Sequence, residues 1–226
     1  MTTTTNPTTS RRFSLEKDFM HSRCDTQLYA LLRCFSTAKP STNPKQPYEE
    51  YLPKSTYTKN KKLFSDIRGV SPQTIKNRLD KLIKSGLVTE GTYLLNNTPT
   101  PCYYFPFNYN GLYKLINKDL LRYLAITTNP LTLRVYLYLL NKSGMKEDYE
   151  FSLSEIAVGL GYSSTTKEVN TAIKEILIFL QQNKLISYSS TYTTIYNENG
   201  TTYPKPTLIL HWATSSLPDF LRQELR

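Results

Sequence analysis

The chain has 226 residues, 39% of them apolar and 20% charged, which places it among folded, water-soluble proteins with matter for one large domain or two ordinary ones. No run approaches the roughly eighteen continuous apolar residues of a membrane span, and the start MTTTTNPTTSRRFS has no signal-peptide stretch, so no membrane partner is expected and the reading is a cytoplasmic protein with a disordered Thr-rich tail over residues 1–20. Cys24, Cys34, Cys102, His21 and His211 fit no metal-ligand spacing, so reduced structural thiols and no metal or cofactor are expected, while a net charge of +10 favours a polyanionic partner.

In chain order, DTQLYALLRCF (25–35) sets Leu28, Leu31, Leu32 and Phe35 at helical spacing and predicts a first helix. KPSTNPKQPYEEYLP follows, with prolines at 40, 44, 47 and 53, and reads as a loop. YTKNKKLFSDI is short and amphipathic, and Gly69 after it can supply the positive φ of a tight turn. Ser71 and Pro72 then mark a helix start, a hydroxyl cap followed by a residue with no amide to leave unpaired. That helix presents Ile75, Leu79 and Leu82 as one stripe and stops at Gly86. LVTEGTYLL and PCYYFPF are β-prone and are separated by the turn-rich NNTPT. Helix, short helix, tight turn, helix and hairpin make the winged-helix plan, assigned to residues 21–108.

Residues 109–128, YNGLYKLINKDLLRYLAITT, read as a joining helix. Asn129 and Pro130 open another helix, Ser152 and Glu155 form a capping-box pattern, and Gly161 supplies a second turn. A longer helix and a β-ribbon (LISYSSTYTTIY with PTLILHW) complete a second winged-helix domain, 129–214, before a C-terminal tail, 215–226. Counting back from Leu87, the apolar positions are Ile75, Leu79 and Leu82; counting back equally from Leu185, they are Ile173, Leu177 and Leu180. Shared offsets, a glycine turn upstream and a ribbon downstream predict an internal repeat of domain size. The fold class expected is therefore α+β, helix-rich, with two winged helix-turn-helix domains in tandem.

The charge is concentrated in the first copy. Residues 57–86 hold Lys59, Lys61, Lys62, Arg68, Lys76, Arg78, Lys81 and Lys84 against Asp66 and Asp80, whereas everything from 131 onward is neutral. With Ile75 at zero and about 100° per residue, the buried stripe spans about 40° either side, and Gln73, Thr74, Asn77, Lys81 and Lys84 fall opposite it. Gln and Asn can hydrogen-bond adenine edges in pairs, Thr can meet a thymine methyl, and Lys can reach guanine or phosphate. Lys59, Lys61, Lys62, Arg68, Lys76 and Arg78 would position the duplex without specifying sequence, and Ser71 sits at the helix mouth. Asp80 on the same face opposes this reading. Tyr93, Tyr103 and Tyr104 are assigned to the sheet. The second copy's outward positions, Glu168, Thr171, Glu175 and Gln182, are mildly acidic, and Ile178 and Phe179 leave its helix apolar nearly all round, which predicts a second partner surface. Any DNA contact there is expected from Ser164, Thr165, Thr166 and Lys167.

No Walker loop, dinucleotide-binding glycine pattern or Ser/His/Asp set is evident, and no enzyme is expected. SDIRGVSPQTIKNRLDKLIKSGLV and LYKLINKDLLRYLAITTNPLTLRVYLYLLNK, with the order of parts around them, resemble the tandem winged-helix replication initiators of plasmids and mobile elements. The resemblance implies binding of double-stranded DNA at origin repeats, a monomer–homodimer switch and recruitment of host replication proteins. A winged-helix transcriptional regulator would leave nearly the same trace, and a protein-interaction scaffold without DNA binding is the rival from another class.

Overall fold

Asp25 starts the first long element: its Oδ1 accepts from the Leu28 amide at 2.9 Å, and helix α1, Thr26–Phe35, buries Leu28, Leu31 and Leu32 completely. The computed structural model describes residues 10–14, 25–40, 48–106, 113–142, 148–163, 166–196, 199 and 202–225, a mixed α+β chain that divides into two compact units, Met1–Leu133 and Arg134–Arg226.

In the first unit the Pro-rich stretch is not all loop. Strands β2 (Thr37–Pro40) and β3 (Tyr48–Pro53) pair antiparallel across it, with residues 41–47 outside the described set. Pro40 and Pro53 close their strands, where a missing amide breaks no ladder. Helix α2, Lys54–Arg68, follows at once and is longer than its apolar pattern suggested, because Pro53 is a fixed-φ entry and the first turn is polar. Gly69, at φ +58°, ends it: the Gly69 amide donates to Asp66 O and the Val70 amide to Ser65 O, both at 3.1 Å, the paired bonds of a Schellman cap.

Helix α3, Pro72–Lys84, is capped by Ser71, whose Oγ accepts from the Thr74 amide at 3.1 Å. It buries Ile75, Leu79 and Leu82 and ends before Gly86, at φ +75°. Strands β4 (Thr89–Leu95) and β5 (Thr98–Tyr104) form the expected hairpin, but its turn is only Asn96 and Asn97, at φ +49° and +63°. That pair of positive angles is the turn that suits strand twist, so Thr98, Pro99 and Thr100 stay in the ladder. The sheet order is β2-β3-β5-β4.

Two expectations fail at the edges of this unit. The Thr-rich tail contains strand β1, Ser10–Ser14, paired antiparallel with β6, Tyr113–Asn117, while the remainder of residues 1–20 lies outside the described set. The joining helix is correspondingly shorter: Asn117 caps it by accepting from the Asp119 amide at 2.8 Å, and α4 runs Lys118–Thr127, with 109–112 undescribed. A short alternating run of Tyr, Leu and Ile before an Asn cap favours a strand then a helix over one long helix.

Helix α5, Pro130–Lys142, begins with Asn129 accepting from the Thr132 amide at 2.8 Å and crosses into the second unit, where Val135 to Leu140 are all buried. Strand β7 (Tyr149–Phe151), helix α6 (Leu153–Gly159) and helix α7 (Lys167–Gln182) precede the ribbon of β8 (Ile186–Tyr196) and β9 (Thr202–Ala213). The capping box is half made: Ser152 Oγ accepts from the Glu155 amide at 3.1 Å, but the Glu155 carboxylate receives the Tyr149 hydroxyl. Gly161 has the positive φ expected of a turn, +86°. The C-terminal tail is likewise structured, as a 3-10 helix over Asp219–Leu225, and Leu217 before it and Leu221 within it are buried.

With β2, an extra edge strand of the first unit, set aside, the order helix, strand, helix, helix, two-stranded ribbon occurs in each unit. In each, the strand before the helix pair is bonded to the second strand of the ribbon, β3-β5-β4 and β7-β9-β8. Ile75, Leu79, Leu82, Ile173, Leu177 and Leu180 are all at most 2% exposed, so the predicted alignment of the two helices is an alignment of core positions.

Candidate nucleic-acid interface

A helix packed through one narrow stripe leaves the rest of its circumference to water. On α3 that surface holds Gln73, Lys76, Asn77, Asp80, Lys81 and Lys84, all exposed, with Thr74 half-buried beside Ser71. The Gln73 Nε2 donates to Asn77 Oδ1 at 2.9 Å, so two amide side chains one turn apart are tied into one unit. Gln73 Oε1 and Asn77 Nδ2 are left for another partner, an acceptor and a donor in the pattern that a base edge can meet. Thr74 Oγ1 lies 3.0 Å from Ser71 Oγ, which makes these two hydroxyls part of the cap as well as part of the surface.

The positioning residues separate into two groups. Lys59 and Lys62 on α2 and Lys76, Lys81 and Lys84 on α3 are exposed, and Lys61 is half-buried. Arg68 and Arg78 instead turn toward Asp25: Arg78 Nη1 is 2.5 Å and Arg68 Nη2 3.3 Å from its Oδ2, and the Asp25 side chain is only 8% exposed. Arg68 also donates to Gln27 Oε1, and the Gln27 amide donates to Ala125 O and Thr128 O at 2.6 and 2.8 Å. One carboxylate thus caps α1 and holds the last turn of α2 and the middle of α3. The two arginines mount the helix, and of the basic residues predicted over 57–86 six lysines are left to meet a polyanion.

Lysine is a point charge without a fixed fork, suited to phosphate contact but not to bidentate reading. Any reading of sequence from α3 therefore rests chiefly on Gln73 and Asn77. Asp25 and Gln27 escape sequence reasoning because they lie 41 to 53 residues from the arginines they hold or bond. A ladder of fold-level contacts, not local spacing, joins them.

The hairpin tip carries no basic residue. Its tyrosines are structural, as expected: Tyr93 stacks on Tyr51 with ring centroids 4.0 Å apart, Tyr103 meets Tyr57 edge-on at 5.5 Å, and the Tyr104 hydroxyl donates to Thr92 O at 2.8 Å. Lys54 reaches across the sheet to Glu90 at 2.6 Å, and this hydrogen bond raises its pKa.

In the second unit Ser164 and Thr165 lie outside the described residues, Thr166 Oγ1 accepts from the Val169 amide at 3.4 Å, and Lys167 is exposed. Glu168, Thr171, Glu175 and Gln182 are exposed as the pattern required, and Ile178 is 41% exposed.

One constellation went unseen in the sequence. His211 Nδ1 lies 2.6 Å from Asp148 Oδ1 and its Nε2 3.0 Å from Ser189 Oγ, the order of a hydrolytic triad assembled by cross-strand register. Asp148 is 64% exposed, whereas a triad carboxylate works from a buried site. The contacts pin the lead-in to β7, β8 and β9 together on one face of the ribbon. Cys34 and Cys102 are buried, Cys24 is undescribed, and no group of three metal-ligating side chains occurs among the described residues. No described helix is long and apolar enough to cross a membrane. No protein-family model, curated protein or solved structure matches this chain.

Proposed function

We propose that each unit is a winged helix and that the protein binds double-stranded DNA in a sequence-specific way, with α3 as its recognition helix and replication initiation at origin repeats as its role. The observation that carries this reading is the outer face of α3: a bonded Gln73–Asn77 pair flanked by exposed Lys76, Lys81 and Lys84, with Lys59 and Lys62 on the preceding helix. Helix, strand, helix, helix and ribbon, with the strand before the helix pair beside the second strand of the ribbon, support it. So does the firm mounting of α3 by Arg78, since a reading surface must be held to within a fraction of an ångström.

Selection from a random duplex library by the full chain tests the proposal. An enriched motif is expected, with binding that weakens steeply as salt rises because neutralised phosphates release counterions. Asn77→Ala should cost about 1–3 kcal/mol on the selected site and relax its specificity, while Lys61→Ala weakens every sequence alike. Equal losses for Asn77→Ala on selected and random DNA would remove the base-reading role. Short repeats of the motif beside the gene, with copy number dependent on the protein, separate an initiator from a regulator. Absence of any DNA binding, with a protein partner retained by a Lys81→Glu/Lys84→Glu variant, would leave the scaffold reading in its place.

A further inference from the structure

The second unit contains a cleft of about 460 Å³ between the start of α6, one side of α7 and the ribbon. Its volume falls within the roughly 300–1,000 Å³ of small-molecule sites. Asn170 and Lys174 lie one turn apart on α7 and both line it. Among the described residues the Asn170 Oδ1 is buried without a donor, and a buried acceptor left unpaired is an unfavourable state that a partner relieves. Lys174 is exposed and makes no ion pair among the described residues, which leaves its positive charge at the cleft without a carboxylate. Tyr188, Ser190 and Tyr192 follow at alternate positions of β8 and so share one face of the strand. Tyr192 is 72% exposed, an aromatic ring at the cleft with little covering it. Leu177 supplies an apolar floor. Ser189, of the His211 cluster, is not among the lining residues.

We propose that this cleft binds a small organic molecule that carries an anionic group, a flat ring and at least one N–H donor. Lys174 takes the negative charge, Asn170 Oδ1 accepts the N–H, and the ring lies against Tyr188 and Tyr192. A phosphate on an aminated heterocycle and a carboxylate beside an ammonium on an aromatic amino acid share this chemistry. The site is independent of α3, and its test contains no DNA.

Isothermal titration calorimetry of the full chain with adenosine 5′-monophosphate and, separately, with L-tryptophan distinguishes the two sources. One of them is expected to bind with a Kd of about 1 mM or tighter. Lys174→Glu should weaken that binding by about tenfold or more, because it replaces a charge-assisted contact with repulsion. Asn170→Leu should weaken it too while raising the melting temperature of the unliganded protein, an opposite pair of shifts that a merely structural asparagine would not give. Lys76→Glu, in the first unit, should leave the titration unchanged. No heat with either probe at about 5 mM, or wild-type affinity in the folded Lys174→Glu and Asn170→Leu variants, overturns the proposal.

Discussion

Helices α3 and α7 bury aliphatic side chains at the same three positions, α7 adding Ile176 where α3 has Arg78, and they present different exteriors. On α3 three exposed lysines meet one exposed aspartate; on α7, Lys167 and Lys174 meet Glu168 and Glu175, and Ile178 stands 41% exposed. Packing constrains a stripe that must match a sheet, and it constrains little else on a helix. The exterior is free to diverge toward whatever each unit meets. What the pair teaches is that a shared interior says how a unit folds, and only the exterior says what it touches.

The largest expected effect tests that division of labour directly. Reversing Lys76, Lys81 and Lys84 to Glu should lower the slope of log affinity against log salt by about 3, while reversing Lys167 and Lys174 should change it by less than about 0.5. Equal flattening in both variants would make the two exteriors functionally alike. Next in size is the mounting of α3. Asp25→Ala leaves two guanidiniums without their carboxylate, with an expected cost of about 3–5 kcal/mol. That corresponds to a fall of about 2–4 °C in melting temperature per kcal/mol. Arg78→Ala should likewise lower the melting temperature and leave the salt slope intact, whereas Lys76→Ala should lower the slope by about 1 and leave the melting temperature intact. A salt-slope change for Arg78→Ala would return that residue to the phosphate-binding set.

The smallest effects concern one buried tyrosine in each unit. Among the described residues the buried Tyr57 hydroxyl has no partner, whereas the Tyr136 hydroxyl donates to Thr214 O. Tyr57→Phe should therefore stabilise by about 1 kcal/mol, and Tyr136→Phe should destabilise by about as much. Burial pushes the Tyr57 pKa up to about 12, so the native state keeps a proton that the unfolded chain releases near its ordinary value of about 10. The stability this contributes is fully present below about pH 10 and declines as pH rises toward 12. Urea melts at pH 9 and pH 11 should show a smaller decline in Tyr57→Phe than in the wild type.

Most helices were legible because each carried its own signals: Ser71 with Pro72, Asn129 with Pro130, Ser152, and the glycines at 69, 86 and 161. The hairpin was legible from β-prone runs, although its turn shrank to Asn96 and Asn97. Strands β1, β2, β3, β6 and β7 do not show in the sequence, since each is short: β1, β3, β6 and β7 pair with partners distant in sequence, and β2 pairs with β3 across a stretch whose prolines read as loop. The outer face of α3 followed from helical geometry alone. The inward turn of Arg68 and Arg78 did not, because an arginine's direction depends on where a carboxylate is waiting, and Asp25 comes near only in the folded unit. The cleft of the second unit was invisible for the same reason, being walled by two helices and a ribbon.

Gln27 links the end of α2, through Arg68, to the last carbonyls of α4, through Ala125 and Thr128. A side chain that bridges two helix ends makes local fraying at either one cost the bonds at both. The amides around Gly69 and those around Thr128 should therefore exchange with solvent hydrogen through a common opening, at one shared rate dependence on denaturant. Gln27→Ala would let the two ends open separately, and the turn that presents α3 would loosen while the core beneath it stayed closed.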